Sequence, residues 1–203
     1  MRKKHNGRVI REFKELKAWE ATATKQEKAL KNKAIEYDKL YFDDFNFESK
    51  SITGDVYNFA RIKNCPEQVL NKNKFYEVTP TVIKDCRFFI KYMEEAAGNC
   101  NGWDITIHPE SIKDRDVILH EMIHLRINVM PNNFREILTF CLYKKLKKEF
   151  TKSFENLLID HATAIAACYS PDLWHHGTLF YLKSLDLDIR LNLDIGTVYG
   201  YRL

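Results

Sequence analysis

The chain has 203 residues, of which 45% are hydrophobic and 30% are charged. This composition is typical of a globular protein of one domain, and it excludes a chain that is disordered throughout. No apolar run reaches the ~18 residues of a membrane span, and the basic amino terminus lacks the apolar core of a signal peptide. Five scattered cysteines without a C-x-x-C pair argue against a disulfide framework and a thiolate zinc ribbon. We therefore expect a cytoplasmic protein with reduced thiols and no contact with membranes.

The net charge of +4 is distributed unevenly along the chain. Residues 1–35 contain eleven Lys or Arg and four Glu, a local charge of +7, and the remainder carries −3. A basic segment on a mildly acidic body can favour contact with nucleic acid, such as DNA, or with an acidic partner. Alternatively, its lysines form the solvated face of a helix that packs on the body of the protein. The charge pattern alone leaves both interpretations open.

The apolar periodicity begins within this basic segment. Val9, Phe13 and Leu16 have i, i+4, i+7 spacing, which predicts one long helix over residues 7–41. Further along, Ser51–Ile62 and Lys74–Val78 have the β-branched and aromatic content of strands.

Helix-start signals and alternation predict the elements that follow. Thr79 and Pro80 resemble an N-cap and first helical residue, so we predict a helix from there to Gly98. Trp103–His108 alternates between apolar and polar residues, which indicates a half-buried strand. Further helices are predicted after Ser111 as far as Val129, and over residues 133–150, 152–168 and 175–184. The predicted fold class is α+β, with a small sheet packed on several helices.

The segment His120-Glu121-Met122-Ile123-His124 is the clearest functional signal. Positions i and i+4 lie on the same face of a helix, so both imidazoles can bind one Zn²⁺. Glu121 lies beside them and can act as a general base without binding the metal. The surrounding residues Ile118, Met122 and Leu125 predict that the opposite face of this helix is buried.

A catalytic zinc site needs a third protein ligand and an open position. The downstream candidates are two carboxylates and three histidines: Glu155, Asp160, His161, His175 and His176. Helical spacing does not choose among them.

A resemblance to a known family does favour one candidate. The segment H-G-T-L-F, from His176 to Phe180, resembles the third-ligand segment of SprT-like zinc metallopeptidases, the family of the Spartan proteases. In that family an H-E-x-x-H helix precedes an H-G-x-x-F segment, and the similarity covers about residues 80–190. The resemblance implies a zincin-like core with His120, His124 and His176 as zinc ligands and Glu121 as the catalytic residue. Gly177 would allow the chain to approach the metal helix closely.

The charge and helical patterns predict a domain organisation, and the resemblance implies an activity. A basic N-terminal helical arm, residues 1–41, would precede a metallopeptidase domain, residues 42–203, with a helical insertion at about 133–168. The activity would be zinc-dependent hydrolysis of peptide bonds in a protein or peptide substrate. The family further implies DNA-associated protein substrates, and phage-encoded members are a further parallel. DNA contact through the arm would agree with this role.

Two further roles and two rival functions follow from the same residues. The strand Trp103–His108 could be the edge strand that pairs with an extended substrate. An oxyanion could be stabilised by His108, Tyr169 or Tyr181. The first rival function is a zincin of another type that resembles the regulator-cleaving ImmA/IrrE proteins. The second is a binding module that has the zincin fold without catalysis, against which the intact Glu121 argues.

Overall fold

The computed structural model describes residues 14–45, 82–129, 132–149 and 176–200. The chain falls into two compact units. The first unit comprises Met1–Asp43 and Thr81–Val129, and the second comprises Asp44–Pro80 and Met130–Leu203. Several helices and one small three-stranded sheet make up the described residues, which agrees with the predicted α+β class.

The first unit begins with two helices where one was predicted. Residues 14–22 form α1, and Lys25–Tyr41 forms α2. The chain breaks between them because Thr24 caps the second helix: its hydroxyl accepts a hydrogen bond from the Glu27 main-chain N–H (3.1 Å), and the Glu27 carboxylate accepts one from the Thr24 N–H (2.8 Å). This reciprocal capping box satisfies main-chain donors that a continuous helix would bond internally.

Helix α1 packs on the body of the first unit. Leu16 and Trp19 are buried, and the Trp19 indole donates a hydrogen bond to the Phe88 carbonyl (3.0 Å). The ammonium group of Lys31 lies 4.8 Å from the centre of the Trp19 ring, on its face. Leu16 and Trp19 therefore pack residues 14–22 of the basic segment on the body of this unit.

The sheet lies in the segment where a helix was expected. After a short helix α3, Val82–Asp85, the chain forms β1, Arg87–Ile90, β2, Gly98–Asn101, and β3, Asp104–Ile107. Strand β3 is central, with β1 parallel on one side and β2 antiparallel on the other. The predicted helix from Thr79 to Gly98 is therefore wrong, whereas the strand predicted at Trp103–His108 is confirmed for the residues of β3.

Long-range pairing explains why β1 is a strand. Arg87 lies opposite Asp104 in the β1–β3 register, and its guanidinium makes two hydrogen bonds to that carboxylate, at 2.6 and 2.8 Å. Phe88, at the next position of the β1–β3 register, is fully buried. Aromatic residues favour a pleated, half-buried surface, and this burial outweighs the local helix-start signal.

Helix α4, Arg115–Val129, follows β3 after a 3₁₀ turn at Pro109–Ser111. It packs on β2 and β3, and its apolar residues Ile118, Met122 and Leu125 are fully buried as predicted. Arg126 of this helix donates a 2.9 Å hydrogen bond to Asp38 of α2, and both side chains are buried. The helix is therefore held rigidly against its own unit.

The second unit contains α5, Asn132–Glu149, and α6, Thr178–Leu191, which pack against each other. Helix α5 agrees with the helix predicted at 133–150, and α6 is longer than the predicted 175–184. The fully buried Lys183 of α6 forms ion pairs with Asp44 (2.7 Å) and Asp186 (2.9 Å).

Other predictions fall outside the described residues: the strands at 51–62 and 74–78 and the helix at 152–168. The division into an arm, residues 1–41, and a domain, residues 42–203, stays a prediction. Among the described helices, none has the length and apolar character needed to cross a membrane.

Candidate metal centre

Helix α4 brings His120 and His124 together as their spacing predicts. The two side chains lie one turn apart, with their Nε2 atoms 3.2 Å from each other and their ring centres 4.9 Å apart. Two nitrogens that bind one tetrahedral Zn²⁺ at 2.0–2.1 Å would be separated by about 3.3 Å. The pair therefore already has the spacing that a shared ion requires.

His176 lies in the second unit, two residues before α6. Its ring centre is 4.4 Å from that of Phe180, one turn into the helix, and 5.2 Å from that of Tyr199. The predicted H-G-x-x-F segment thus contains a direct ring contact between its first and last residues. The four-residue spacing of the segment thus places the His176 and Phe180 rings next to each other.

The three predicted ligands lie close together. One possible ligand atom from each of His120, His124 and His176 lies within 4.8 Å of the other two. Three imidazole nitrogens suit zinc, copper, iron or nickel better than they suit calcium or magnesium. The three histidines therefore fit a transition metal, which they would hold through their ring nitrogens.

Glu121 lies next to this group and is almost completely buried, with 5% of its surface exposed. Its side chain lies against the main chain of Gly98 in β2: a Cβ atom at position 98 would be 2.7 Å from Oε1 and 2.8 Å from Cγ of Glu121. Only glycine, which has no side chain, permits this contact. The strand therefore fixes the position of the carboxylate.

Burial changes the acid–base properties of this carboxyl group. Removal from water disfavours the charged form and raises the pKa of Glu121 to about 8. A carboxylate in a site of this kind is a stronger base than one in water. That property suits a group that must take up and release a proton near neutral pH.

A thiol also lies near this carboxylate. Burial, with the Glu121 and Asp104 carboxylates, raises the pKa of Cys100 to about 12. A thiol must lose its proton before it can bind a metal or act as a nucleophile. Cys100 therefore remains a neutral neighbour of the site.

Other candidate ligands from the sequence, namely Glu155, Asp160, His161 and His175, lie outside the described residues. Gly177 is the N-cap of α6, and no described atom lies within 4 Å of the position that its Cβ would occupy. The expected close approach of the chain at Gly177 is therefore wrong for the described residues. The glycine that a close contact does require is Gly98, on a different element.

The secondary roles predicted from the sequence also change. Strand β3 has a neighbour on both sides, so it is not the edge strand that a substrate could join. The His108 side chain accepts a hydrogen bond from the Glu110 N–H (3.3 Å), which caps the 3₁₀ turn. Tyr181 is buried in α6, and Tyr169 lies outside the described residues. These contacts assign structural roles to His108 and Tyr181.

Sequence reasoning missed two residues of the site, Gly98 and Tyr199. The sequence predicts Gly98 as the end of a helix, and the G-N-C-N segment carries no local strand signal, because glycine and asparagine are depleted in strands. Tyr199 lies 23 residues after His176, and no local periodicity links the two. Its one signal is position: Gly196 and Gly200 surround it, and both adopt a φ of +93°, typical of a tight turn.

Comparison with known proteins adds no relative: no protein-family model, curated protein or solved structure matches this chain. The residues and their geometry therefore carry the function that we propose for this chain.

Proposed function

We propose that the chain is a zinc-dependent metallopeptidase of SprT-like type that hydrolyses peptide bonds in protein substrates. The observation that carries the proposal is the proximity of three histidine ligand atoms, all within 4.8 Å of one another, beside a buried glutamate. His124 and His176 are 52 residues apart in sequence, so this proximity is not a consequence of helical spacing. Three histidines with a purely structural role would not need a buried carboxyl group beside them, whereas a catalytic site does need a general base.

The protein groups have distinct roles in this proposal. His120, His124 and His176 hold the metal, and their three nitrogens leave a position open, as in catalytic zinc sites. When bound, Zn²⁺ supplies Lewis acidity towards the peptide carbonyl and towards water. Glu121 takes up a proton from the attacking water at its carboxylate and delivers it to the departing amine. Gly98 keeps this carboxylate in place.

Strand β2 is the element best suited to bind an extended substrate. In the described part of the sheet, β2 has a neighbour only on its β3 side, so its other edge can pair with a peptide main chain. Helix α4 packs on this strand, and Gly98 in β2 touches Glu121. A peptide added to β2 would therefore lie beside the catalytic carboxylate. This assigns to β2 the role that the sequence had suggested for β3.

DNA-associated proteins are the substrate class that the SprT-like resemblance favours. Exposed lysines on the first two helices, Lys14, Lys17, Lys25 and Lys28, provide a charge that could contact a phosphate backbone. We propose these residues as the DNA-contacting part of the basic segment, while Leu16 and Trp19 pack it on the body.

The experiment that tests the activity compares Glu121→Gln with the wild-type protein, both loaded with zinc. Glutamine has nearly the same shape but cannot accept the proton, so hydrolysis of an unstructured protein such as casein should fall by about 10² or more. Glu110→Gln is the matched control, because Glu110 is exposed on the neighbouring 3₁₀ turn. Wild-type protein that holds zinc but cleaves neither casein nor DNA-bound proteins would contradict the proposal and favour a non-catalytic metal-binding module.

A further inference from the structure

Two aromatic rings contact the candidate third ligand in the second unit. The ring centre of His176 lies 4.4 Å from that of Phe180 and 5.2 Å from that of Tyr199. Phe180 and Tyr199 also contact each other, at 5.7 Å and 82°, which is an edge-to-face arrangement. Phe180 is fully buried and Tyr199 is 4% exposed. The half-buried histidine ring therefore rests on two rings that are themselves fixed in the core.

The position of Tyr199 depends on a buried carboxylate. Asp188, near the end of α6, is fully buried and accepts two main-chain hydrogen bonds: from the Gly196 N–H at 2.8 Å and from the Val198 N–H at 2.9 Å. One carboxylate thus holds the chain on both sides of Thr197, immediately before Tyr199. Gly196 can follow this path because its φ of +93° is readily available to glycine.

These hydrogen bonds are additional to the normal ending of the helix. Helix α6 ends at Leu191, and its C-cap Asn192 adopts a left-handed conformation that lets the Leu193 N–H bond to the Asp188 carbonyl at 2.8 Å. The Asp188 side chain then binds residues further along the chain. These side-chain hydrogen bonds turn the chain after α6 back towards the beginning of the helix. There the Tyr199 ring contacts the rings of Phe180 and Tyr181.

We propose that Tyr199 is a positioning residue that orients His176 for metal binding, and that Asp188 holds Tyr199 in place. This inference rests on the metal site of the proposed function, but it does not require peptidase activity. A histidine that is already oriented loses less conformational freedom when it binds a metal. Groups that orient a ligand ring usually change metal affinity about 10- to 100-fold when they are removed.

The test measures metal binding directly, using Co²⁺ as a coloured substitute for Zn²⁺. Tyr199→Ala removes the ring and should weaken Co²⁺ binding about 10- to 100-fold and alter the visible absorption of the bound ion. Tyr199→Phe keeps the ring and should restore both the affinity and the spectrum. Asp188→Asn should shift affinity in the same direction as Tyr199→Ala, because an amide can replace only one of the two acceptor oxygens.

A matched control separates positioning from loss of stability. Leu142→Ala removes a buried side chain from α5 in the same unit and should lower the melting temperature without changing the Co²⁺ spectrum. If Tyr199→Ala does not fold, Tyr199→Leu retains apolar volume without the ring and takes its place. Circular dichroism establishes that each variant is folded before metal is added.

The results distinguish this inference from the proposed function. Wild-type Co²⁺ affinity and spectrum in folded Tyr199→Ala or Tyr199→Leu would overturn the inference, as would an equal loss in Leu142→Ala. A wild-type protein that binds no Co²⁺ or Zn²⁺ would overturn both proposals. Metal binding that depends on Tyr199, in a protein that cleaves no peptide, would overturn only the peptidase.

Discussion

Gly98 and Glu121 are in such close contact that a methyl group on Gly98 would lie 2.7 Å from the Glu121 carboxylate oxygen. A strand residue without a side chain thus determines where the proposed catalytic base lies. Gly98→Ala should displace the carboxylate, cost about 1–3 kcal/mol through overpacking, and reduce hydrolysis at least tenfold with zinc still bound. Steady-state rates and zinc content of the purified variant measure these effects.

Gly177→Ala is the matched control for this change. It adds the same methyl group where no described atom lies within 4 Å, and the φ of −68° at Gly177 suits alanine. Hydrolysis by Gly177→Ala should therefore stay close to the wild-type rate. Equal activity of the Gly98 and Gly177 variants would contradict the positioning of Glu121 by β2.

The metal site predicts one zinc ion per chain. His176→Ala should weaken zinc binding much more than His161→Ala or His175→Ala, because His176 is one of the three histidines that cluster among the described residues. His108→Ala provides a control within the described residues, since His108 caps a 3₁₀ turn. Elemental analysis and titration with zinc distinguish these variants. Unchanged zinc binding in His176→Ala would transfer the third ligand to another residue.

Zinc should also stabilise the folded chain. A ligand that binds only the native state at 100 times its Kd contributes about 2.7 kcal/mol to the free energy of unfolding. Chelation should therefore lower the melting temperature of the wild-type protein, with a smaller decrease in His120→Ala. A melting temperature that does not respond to chelator or to added zinc would contradict a specific site.

The basic segment is proposed both to pack on the body of the protein and to contact DNA, and these two roles can be tested separately. Trp19→Ala should destabilise the protein by about 3–5 kcal/mol, because it removes a buried ring and the hydrogen bond to the Phe88 carbonyl. Replacement of the exposed Lys14, Lys17, Lys25 and Lys28 by glutamine should leave the melting temperature nearly unchanged.

The lysine replacement should instead change DNA binding. Each lost phosphate contact reduces the slope of log affinity against log salt by about 0.7 to 0.9. Binding to a duplex of arbitrary sequence, titrated at several salt concentrations, measures the slope. No detectable binding of the wild-type chain at low salt would contradict DNA contact by these lysines.

The buried charges of the second unit predict a dependence of stability on pH. Burial raises the pKa of Asp186, but Lys183 and Lys145 outweigh it and hold the pKa below its usual value of 3.8. A carboxyl group with a lowered pKa in the folded state stabilises the protein above pH 3.8, and this stabilisation is lost as the pH falls further. In Asp186→Asn, which has no carboxylate at this position, this contribution to the decrease in stability towards low pH should be absent.

Asp186→Asn should also cost about 1.5–3 kcal/mol near neutral pH, because it removes a charged hydrogen-bond partner of the fully buried Lys183, which keeps its ion pair with Asp44. Asp194→Asn, at an exposed position, is the control and should have little effect. Urea unfolding between pH 3 and pH 7 gives the comparison. A parallel decrease in stability for Asp186→Asn and the wild type towards acid would contradict the role of this carboxylate.

Local patterns in the sequence determined part of this protein. The i, i+4 spacing of His120 and His124 on a helix with a buried face was sufficient to predict that the two imidazoles lie close together. Alternation predicted the strand that contains Ile105 and Ile107, and both side chains are fully buried. These features depend on the periodicity of the backbone within a few residues, which a sequence displays directly.

Other features were decided only by the tertiary structure. The helix-start signal at Thr79 and Pro80 did not lead to the long helix predicted from it, because Arg87 and Phe88 gain more from pairing with β3 and from burial. The contacts of Gly98 with Glu121, and of Tyr199 with His176, join residues 23 positions apart in each case. The free energy of such contacts comes from packing between elements that are distant along the chain. No local period encodes that packing, so only the folded structure decides which residue supports each part of the site.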